Sequence, residues 1–347
     1  MAGFNPRHAF PPPASLPKSY FLGHHRAGLT KMNSMLSQID LIIECRDYRV
    51  PLSSTNPMFE QLLQGRPRLL VFTKRDLGAS SPLTPSDQRR ESLLTSRLPS
   101  PTIFTTPSSP TTISTLLTHI RTHASTRSSL TGSRLLVVGM PNVGKSTLLN
   151  SLRQAGMHKP KAARTGAQPG ITRAVGTSVK IIPSADEAAA SGKGTGVGAG
   201  VYLLDTPGVF VPYVPDAETM LKLSLVGCVK DGIVPLFTLA DYLLYRVNLV
   251  DPGVYEQWCG PTNEVGDLLE GVARKTGRLG KGGVGDLEGA ALWWVQRFRQ
   301  GVLGRFVLDE VSEEALRRMG EREEVMSLSQ ARRKGRELRK RKEVAAT

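Results

Sequence analysis

The sequence predicts an α/β protein: a mostly parallel sheet with helices on both faces, followed by an α-helical domain. Three observations predict it. Short apolar runs alternate with helical patterns between about residues 39 and 206. One of those runs opens directly into a glycine-rich turn and then a helix. Beyond about residue 215 the strand signals fade and helical periodicity takes over.

The elements follow in order. IDLIIEC at 39–45 is Ile-rich and reads as a buried parallel strand. PMFEQLLQG at 57–65 has a helical pattern ending in glycine, and PRLLVFTK at 67–74 is the next strand. QRRESLLTSRL is a surface helix within the Ser/Pro/Arg-rich stretch 78–100. PTIFTT at 101–106, TTISTLLTHIRTHA at 111–124 and SRLLVVG at 133–139 give strand, helix and strand. A helix should run from Lys145 to Gln154. TSVKII at 177–182 and VYLLDT at 201–206 are the last two strands. The Gly/Ala-rich stretch between them, 183–200, reads as a flexible hairpin tip without an element of its own.

Bulk properties narrow the function. The 347 residues suggest two domains. Forty-five basic against 30 acidic residues leave a charge of +15, which favours polyanionic partners. Cys45, Cys228 and Cys259 are far apart and show no CxxC spacing. That argues against a disulfide framework or a zinc site and fits a reducing compartment. No apolar run reaches the ~18 residues that cross a bilayer, so a membrane contact would be peripheral. Residues 1–39 carry no Asp or Glu but hold Arg7, Lys18, Arg26 and Lys31. This composition suits an organelle transit segment; the Pro-rich FPPPASLP within it suits a disordered arm instead.

Two motifs carry the chemistry. GMPNVGKST at 139–147 fits G-x-x-x-x-G-K-[ST] between a strand and a helix. Backbone N–H groups from Asn142, Val143, Gly144, Lys145, Ser146 and Thr147 can close around phosphates at the positive end of that helix. Lys145 should reach the β- and γ-phosphates, and Ser146 should ligate magnesium. DTPG at 205–208 ends a strand. Asp205 is placed to hold magnesium through water, and the Gly208 N–H to sense the γ-phosphate. Thr172 in QPGITR is either a switch threonine contacting magnesium or an ordinary loop residue. His119 and His123 stand four apart on a helix without a third ligand, which reads as a solvated face rather than a metal site.

A third motif, Thr73-Lys74-Arg75-Asp76, resembles the [NT]-K-x-D element that reads guanine. The Asp76 carboxylate can accept from the base N1–H and exocyclic amine, a donor pair that adenine lacks. The stem of Lys74 can pack along the base. Thr105 and Thr106, in the loop running to Ser108, could complete the base pocket. This guanine element precedes the phosphate loop, so the order is a circular permutation of the usual one. Such a permutation preserves a packed sheet, because chain ends lie at the surface. It also sends the segment after DTPG straight into the helical domain.

The chain resembles the circularly permuted ribosome-assembly GTPases of the YlqF/YawG type, and among them the mitochondrial branch. The resemblance spans roughly residues 20–325 and rests on FLGHHRAGL, RDYRVPLSSTNPMF, GRPRLLVFTKRDL, GMPNVGKSTLLN, QPGIT, DTPGV and GKGGVGDLEGAALWWVQRFRQGVLGRFVLD. It implies GTP hydrolysis coupled to assembly of the mitochondrial large ribosomal subunit, and so to mitochondrial translation. It also implies peripheral attachment to the matrix face of the inner membrane. Val209 follows DTPG, where many GTPases place a water-orienting glutamine. The resemblance assigns that task to a histidine of the N-terminal segment, matching His24, with His25 beside it. Asn142 stands where relatives bind potassium, a fixed charge on the developing phosphate; it could equally hydrogen-bond within the loop.

The basic tail holds eight bases and one acid between Arg332 and Lys342. Without aromatics it suits the rRNA backbone, though anionic lipid or plain solvent would also accept it. The expected organisation is an arm at 1–29, a permuted G domain at 30–212 with an insertion at 183–200, a helical ribosome-docking domain at 213–328 and the tail at 329–347. Val209 keeps one alternative open: a placeholder that binds GTP and rRNA without hydrolysis.

Overall fold

The computed structural model describes residues 4–11, 16, 23–126, 129–160, 162, 178–192, 195–211, 213–214 and 216–321. Its centre is a six-stranded sheet built from β1 (Leu41–Asp47), β2 (Arg68–Thr73), β3 (Thr102–Phe104), β4 (Ser133–Gly139), β5 (Val179–Ile182) and β6 (Val201–Asp205). The spatial order is β3-β2-β1-β4-β6-β5. Every neighbouring pair is parallel except β5 with β6, which is antiparallel.

Alternate strand residues serve two apolar layers, which is why the strands read as near-continuous apolar runs. Ile43 and Cys45 of β1, Leu69 and Val71 of β2, and Leu135 and Val137 of β4 face one layer. It is covered by α4 (Pro110–Ser125) and α5 (Lys145–Met157). Ile42, Leu136 and Val138 face the other, covered by α1 (Gly23–Met35) and α2 (Pro57–Leu62). Leu70 and Phe72 pack on Leu94 of α3 (Pro85–Arg97).

The 183–200 stretch departs from expectation. It contains α6 (Ala185–Ser191). Ser184 and Glu187 cap its first turn reciprocally, and that cap lets the Ala-rich run wind up instead of remaining a loose tip. His119 and His123 are both half-buried. His119 lines a surface groove with Thr111, Thr115 and Thr122, while His123 Nε2 lies 3.3 Å from Asp40 O.

Beyond β6 the chain is helical: α7 (Ala217–Leu225), α8 (Leu236–Asn248), α9 (Val265–Lys275), α10 (Leu287–Arg299) and α11 (Glu313–Glu321). The apolar layer of α4 and α5 continues without a break into α7–α10, through Met220, Leu243, Leu269 and Trp294. Two strands of chain bind this region back to the sheet domain. Near the C-terminal end, Leu308 N donates to Arg49 O at 2.8 Å, and Asp309 Oδ2 accepts from Leu52 N and Ser53 N at 2.9 and 2.8 Å. At the other end, residues 5–10 lie against α8. Arg7 pairs with Asp241 at 2.6 Å, and Phe10 meets the Tyr242 ring edge-on at 5.2 Å. Asn263 Nδ2 donates to Asn5 O at 3.0 Å. Part of the acid-free segment therefore has a defined seat.

Candidate functional site

The parallel strands all end at one edge of the sheet, where ligands of open α/β folds bind. β4 ends at Gly139, and the chain turns over Met140 to Gly144 into α5. Two backbone positions make the turn. Gly139 has φ 147°, and a Cβ there would lie 2.4 Å from Cys45 O. Gly144 has φ 95° and caps α5. Asn142 also adopts a left-handed conformation, φ 57°. Lys145 is buried and donates to Met140 O at 2.7 Å and Gly139 O at 3.2 Å. Burial lowers its pKa, while the nearby Asp205 carboxylate pulls it back up.

Ser146 and Asp205 meet beneath this loop. Ser146 Oγ donates to Asp205 Oδ2 at 2.6 Å. Asp205 Oδ1 is buried with no hydrogen-bond partner. Burial raises the Asp205 pKa, against the Ser146 bond and Lys145. Thr206 Oγ1 donates to Val137 O at 2.6 Å, anchoring DTPG to β4. Gly208 presses on the phosphate loop: a Cβ there would sit 2.4 Å from Pro141 Cα. Val209 N donates to Gly139 O at 3.2 Å, and the Val209 side chain is fully buried in the layer of α1 and α2.

The guanine element lands beside the phosphate loop. Thr73 Oγ1 donates to Val143 O and to Arg46 O. Lys74, with φ 57°, donates from Nζ to Asn142 O and to Asp47 Oδ2. Asp76 is exposed in the 3-10 turn that follows. Thr105 is buried and its N–H donates to Phe72 O at 2.7 Å, while Thr106 N donates to Thr112 Oγ1 at 3.2 Å at the start of α4. Thr147 is exposed in the first turn of α5. The TKRD segment, the GMPNVGKST loop and DTPG thus form one cluster. The backbone of His24 and His25 lies in the first turn of α1; their side chains, like Thr172 and the basic tail, lie outside the described residues. One turn after His24, Gly28 places α1 against DTPG: a Cβ there would be 3.7 Å from Pro207 Cβ and 3.8 Å from Val209 Cγ2.

Known proteins resemble this chain in sequence and in fold. A family model described as a 50S ribosome-binding GTPase matches residues 134–249. The chain is 35% identical over 317 residues to mitochondrial GTPase 1 of Schizosaccharomyces pombe, covering 87% of this chain and 92% of that protein. The chain belongs to the mitochondrial GTPase 1 family. Within that family it is also 36% identical over 309 residues to mitochondrial ribosome-associated GTPase 1 of Mus musculus, covering 84% of this chain and 89% of that one. GDP-bound YlqF matches in fold at TM-score 0.51 and 21% identity, over 81% of this chain and 98% of that one. GNP-bound YlqF from T. maritima matches at TM-score 0.50. As a member of the mitochondrial GTPase 1 family, the chain is a GTPase.

Sequence reasoning gave no role to Asp47, Arg49 or Asn56. Asp47 is fully buried between Arg49 and Lys74. Asn56 Nδ2 donates to Val209 O at 2.9 Å, fixing the residue after DTPG. The available signal was a charged D-x-R directly after an apolar strand, at the edge where ligands bind.

Proposed function

We propose that this family member hydrolyses GTP on the maturing mitochondrial large ribosomal subunit, docking through its helical region and basic tail. The observation that carries this is the meeting of Ser146, Asp205 and Lys145 under the phosphate loop, with TKRD alongside. Relatives named as mitochondrial and ribosome-associated GTPases, together with the charge of +15, support the ribosomal partner and its rRNA. A peripheral contact with the matrix face of the inner membrane belongs to the same reading. Among the described residues no helix is long and apolar enough to cross a membrane.

The donor set suits magnesium. Asp205 offers a buried oxygen with no partner, and Ser146 offers a hydroxyl bonded to the same carboxylate. Magnesium held by these two residues would supply positive charge to the bound phosphates. Lys145 Nζ, held at the mouth of the loop by two carbonyls, adds a second positive charge. The loop N–H groups and the α5 N-terminus bind the remaining phosphate oxygens. Gly208, packed against Pro141, would offer its N–H to the γ-phosphate. Asp76 reads guanine, while Thr105 and Thr106 wall the base.

Val209 cannot orient water, and its burial excludes it from the reacting centre. His24 takes that task, carried on the helix whose Gly28 rests against Pro207 and Val209. Potassium, were it held by the Asn142 amide oxygen, would add positive charge near the transferred γ-phosphoryl group. Asn142 Nδ2 is bonded to Gly227 O, which fixes the orientation of the amide. The buried Val209 also favours a second reading, a GTP-bound placeholder that does not turn over.

Single-turnover GTP hydrolysis separates the two. It is measured with and without large subunits, in potassium and in sodium, for wild type and His24→Ala. The expected result is slow intrinsic turnover, faster with subunits, with His24→Ala slower by about a hundredfold. Equal rates with and without subunits would sink the coupling, and no hydrolysis in any condition would favour the placeholder.

A further inference from the structure

Asp47 closes β1 at the edge of the nucleotide site, and its surroundings are unlike those of a packing residue. Its side chain is fully buried. Oδ1 accepts from Arg49 N and Arg49 Nε, both at 3.0 Å. Oδ2 accepts from Arg49 Nη2 at 2.8 Å and from Lys74 Nζ at 2.9 Å. Each oxygen is therefore used twice, and the last bond goes to the lysine of TKRD.

Lys74 is held from both ends of its side chain. Its backbone is left-handed, φ 57°, a conformation that strains a residue with a Cβ. Its ammonium is pinned between Asp47 and Asn142 O. A flexible four-carbon stem fixed in this way is held between its backbone and the Asp47–Asn142 pair. Without Asp47 the ammonium keeps a single backbone acceptor and its rotamers reopen.

Asp47 is in turn set by the helical region. The Arg49 guanidinium carbon lies 5.4 Å from the centre of the Phe298 ring on α10. Arg49 O accepts from Leu308 N at 2.8 Å. A chain of contacts thus runs from α10 through Arg49 and Asp47 to Lys74.

We propose that Asp47 is the positioning residue for Lys74, and that through Arg49 it makes GTP affinity depend on how the helical region is seated. The proposal rests on the reading of Lys74 as a base contact. A buried ion pair that only stabilised the fold would change the melting temperature and the active fraction, not KM. A positioning residue acts through Lys74, so its effect must vanish when Lys74 has no ammonium.

The test is a cycle of Asp47→Asn and Lys74→Met on the full chain, read by KM and kcat for GTP and by thermal melting. Each single variant should raise KM about tenfold, the loss of a charge-assisted hydrogen bond, with kcat falling less than about threefold. The double variant should stay within about twofold of Lys74→Met alone. A multiplicative rise of about a hundredfold in the double variant overturns the role of Asp47. An unchanged KM in Lys74→Met overturns the base reading instead, and the proposal with it. Should Asp47→Asn fail to fold, Phe298→Leu carries the question: it removes the ring under Arg49 but keeps an apolar side chain. A KM raised about threefold supports the relay, and an unchanged KM overturns it.

Discussion

Asn142 of the phosphate loop donates its side-chain amide to the carbonyl of Gly227, 2.9 Å away in the turn that ends α7. That turn is itself held by Arg299, whose Nε and Nη2 donate to Leu225 O and Ser224 O at 2.9 and 2.8 Å. The loop that surrounds phosphates is therefore tied directly to the helical region. Asn142→Ala removes the bond and the amide oxygen proposed for potassium. We expect a loss of about 1 kcal/mol in unfolding free energy and near-equal GTP hydrolysis rates in potassium and sodium. A preserved potassium advantage would remove Asn142 from the ion site.

Asp205 stores instability. Its pKa is raised by burial, so the folded chain holds a proton there more tightly than the unfolded chain does. Stability of the nucleotide-free protein falls as pH rises from the ordinary carboxylate value through the raised one. Above the raised value the whole penalty is in force. Asp205→Asn should therefore melt higher without nucleotide, by about 1 kcal/mol, and should lose magnesium-dependent hydrolysis. Destabilisation of the nucleotide-free variant would contradict this account.

The proposed guanine reading by Asp76 makes a specificity prediction. Asp76 sits exposed at the site edge, in the turn fixed by Arg75 N donating to Thr105 O at 3.2 Å. Asp76→Asn replaces an acceptor with a donor. It should weaken GTP binding by about a hundredfold, the loss of two hydrogen bonds to a charged group, and improve binding of XTP, whose base carries a carbonyl in place of the amine. Competition of both nucleotides against a fluorescent GDP analogue reads this directly.

The seat of residues 5–10 on α8 can be removed without touching the site. Phe10→Ala deletes a half-buried ring that packs on Tyr242 and Tyr245. It should cost about 1–2 kcal/mol in chemical denaturation, and the KM for GTP should not change. Unaltered stability would show that the segment merely rests on the surface.

The sheet and the phosphate-binding motifs were legible because they rest on local rules. Ile and Val runs ending in glycine or in charge make β1 and β4, and GMPNVGKST forms its turn through glycines at defined positions. TKRD was legible as a motif, but its neighbours were not. Asp47 lies 27 positions before Lys74, and Asn142 lies 85 before Gly227. Contacts over such spans come from the register of β1 with β2 and from the packing of α7, which no local pattern records. The helix at 185–191 was missed for another reason. Composition marked the stretch as loose, while the Ser184–Glu187 cap, a four-residue signal, set its conformation. The antiparallel pairing of β5 with β6, by contrast, agrees with the reading of 183–200 as the tip of a hairpin between them.

The strand order carries a consequence for how the chain is made. β1, β2 and β3 are synthesised first and pair among themselves, leaving one side of β1 bare. The strand that covers it, β4, arrives roughly ninety residues later, when Leu41 meets Leu135. A nascent chain emerging N-terminus first therefore displays the open edge of a highly apolar strand while it waits, the kind of surface on which other strands add. In this permuted order that edge of β1 stays unpaired until β4 has emerged, so the first half of the sheet is completed only by the chain that follows it.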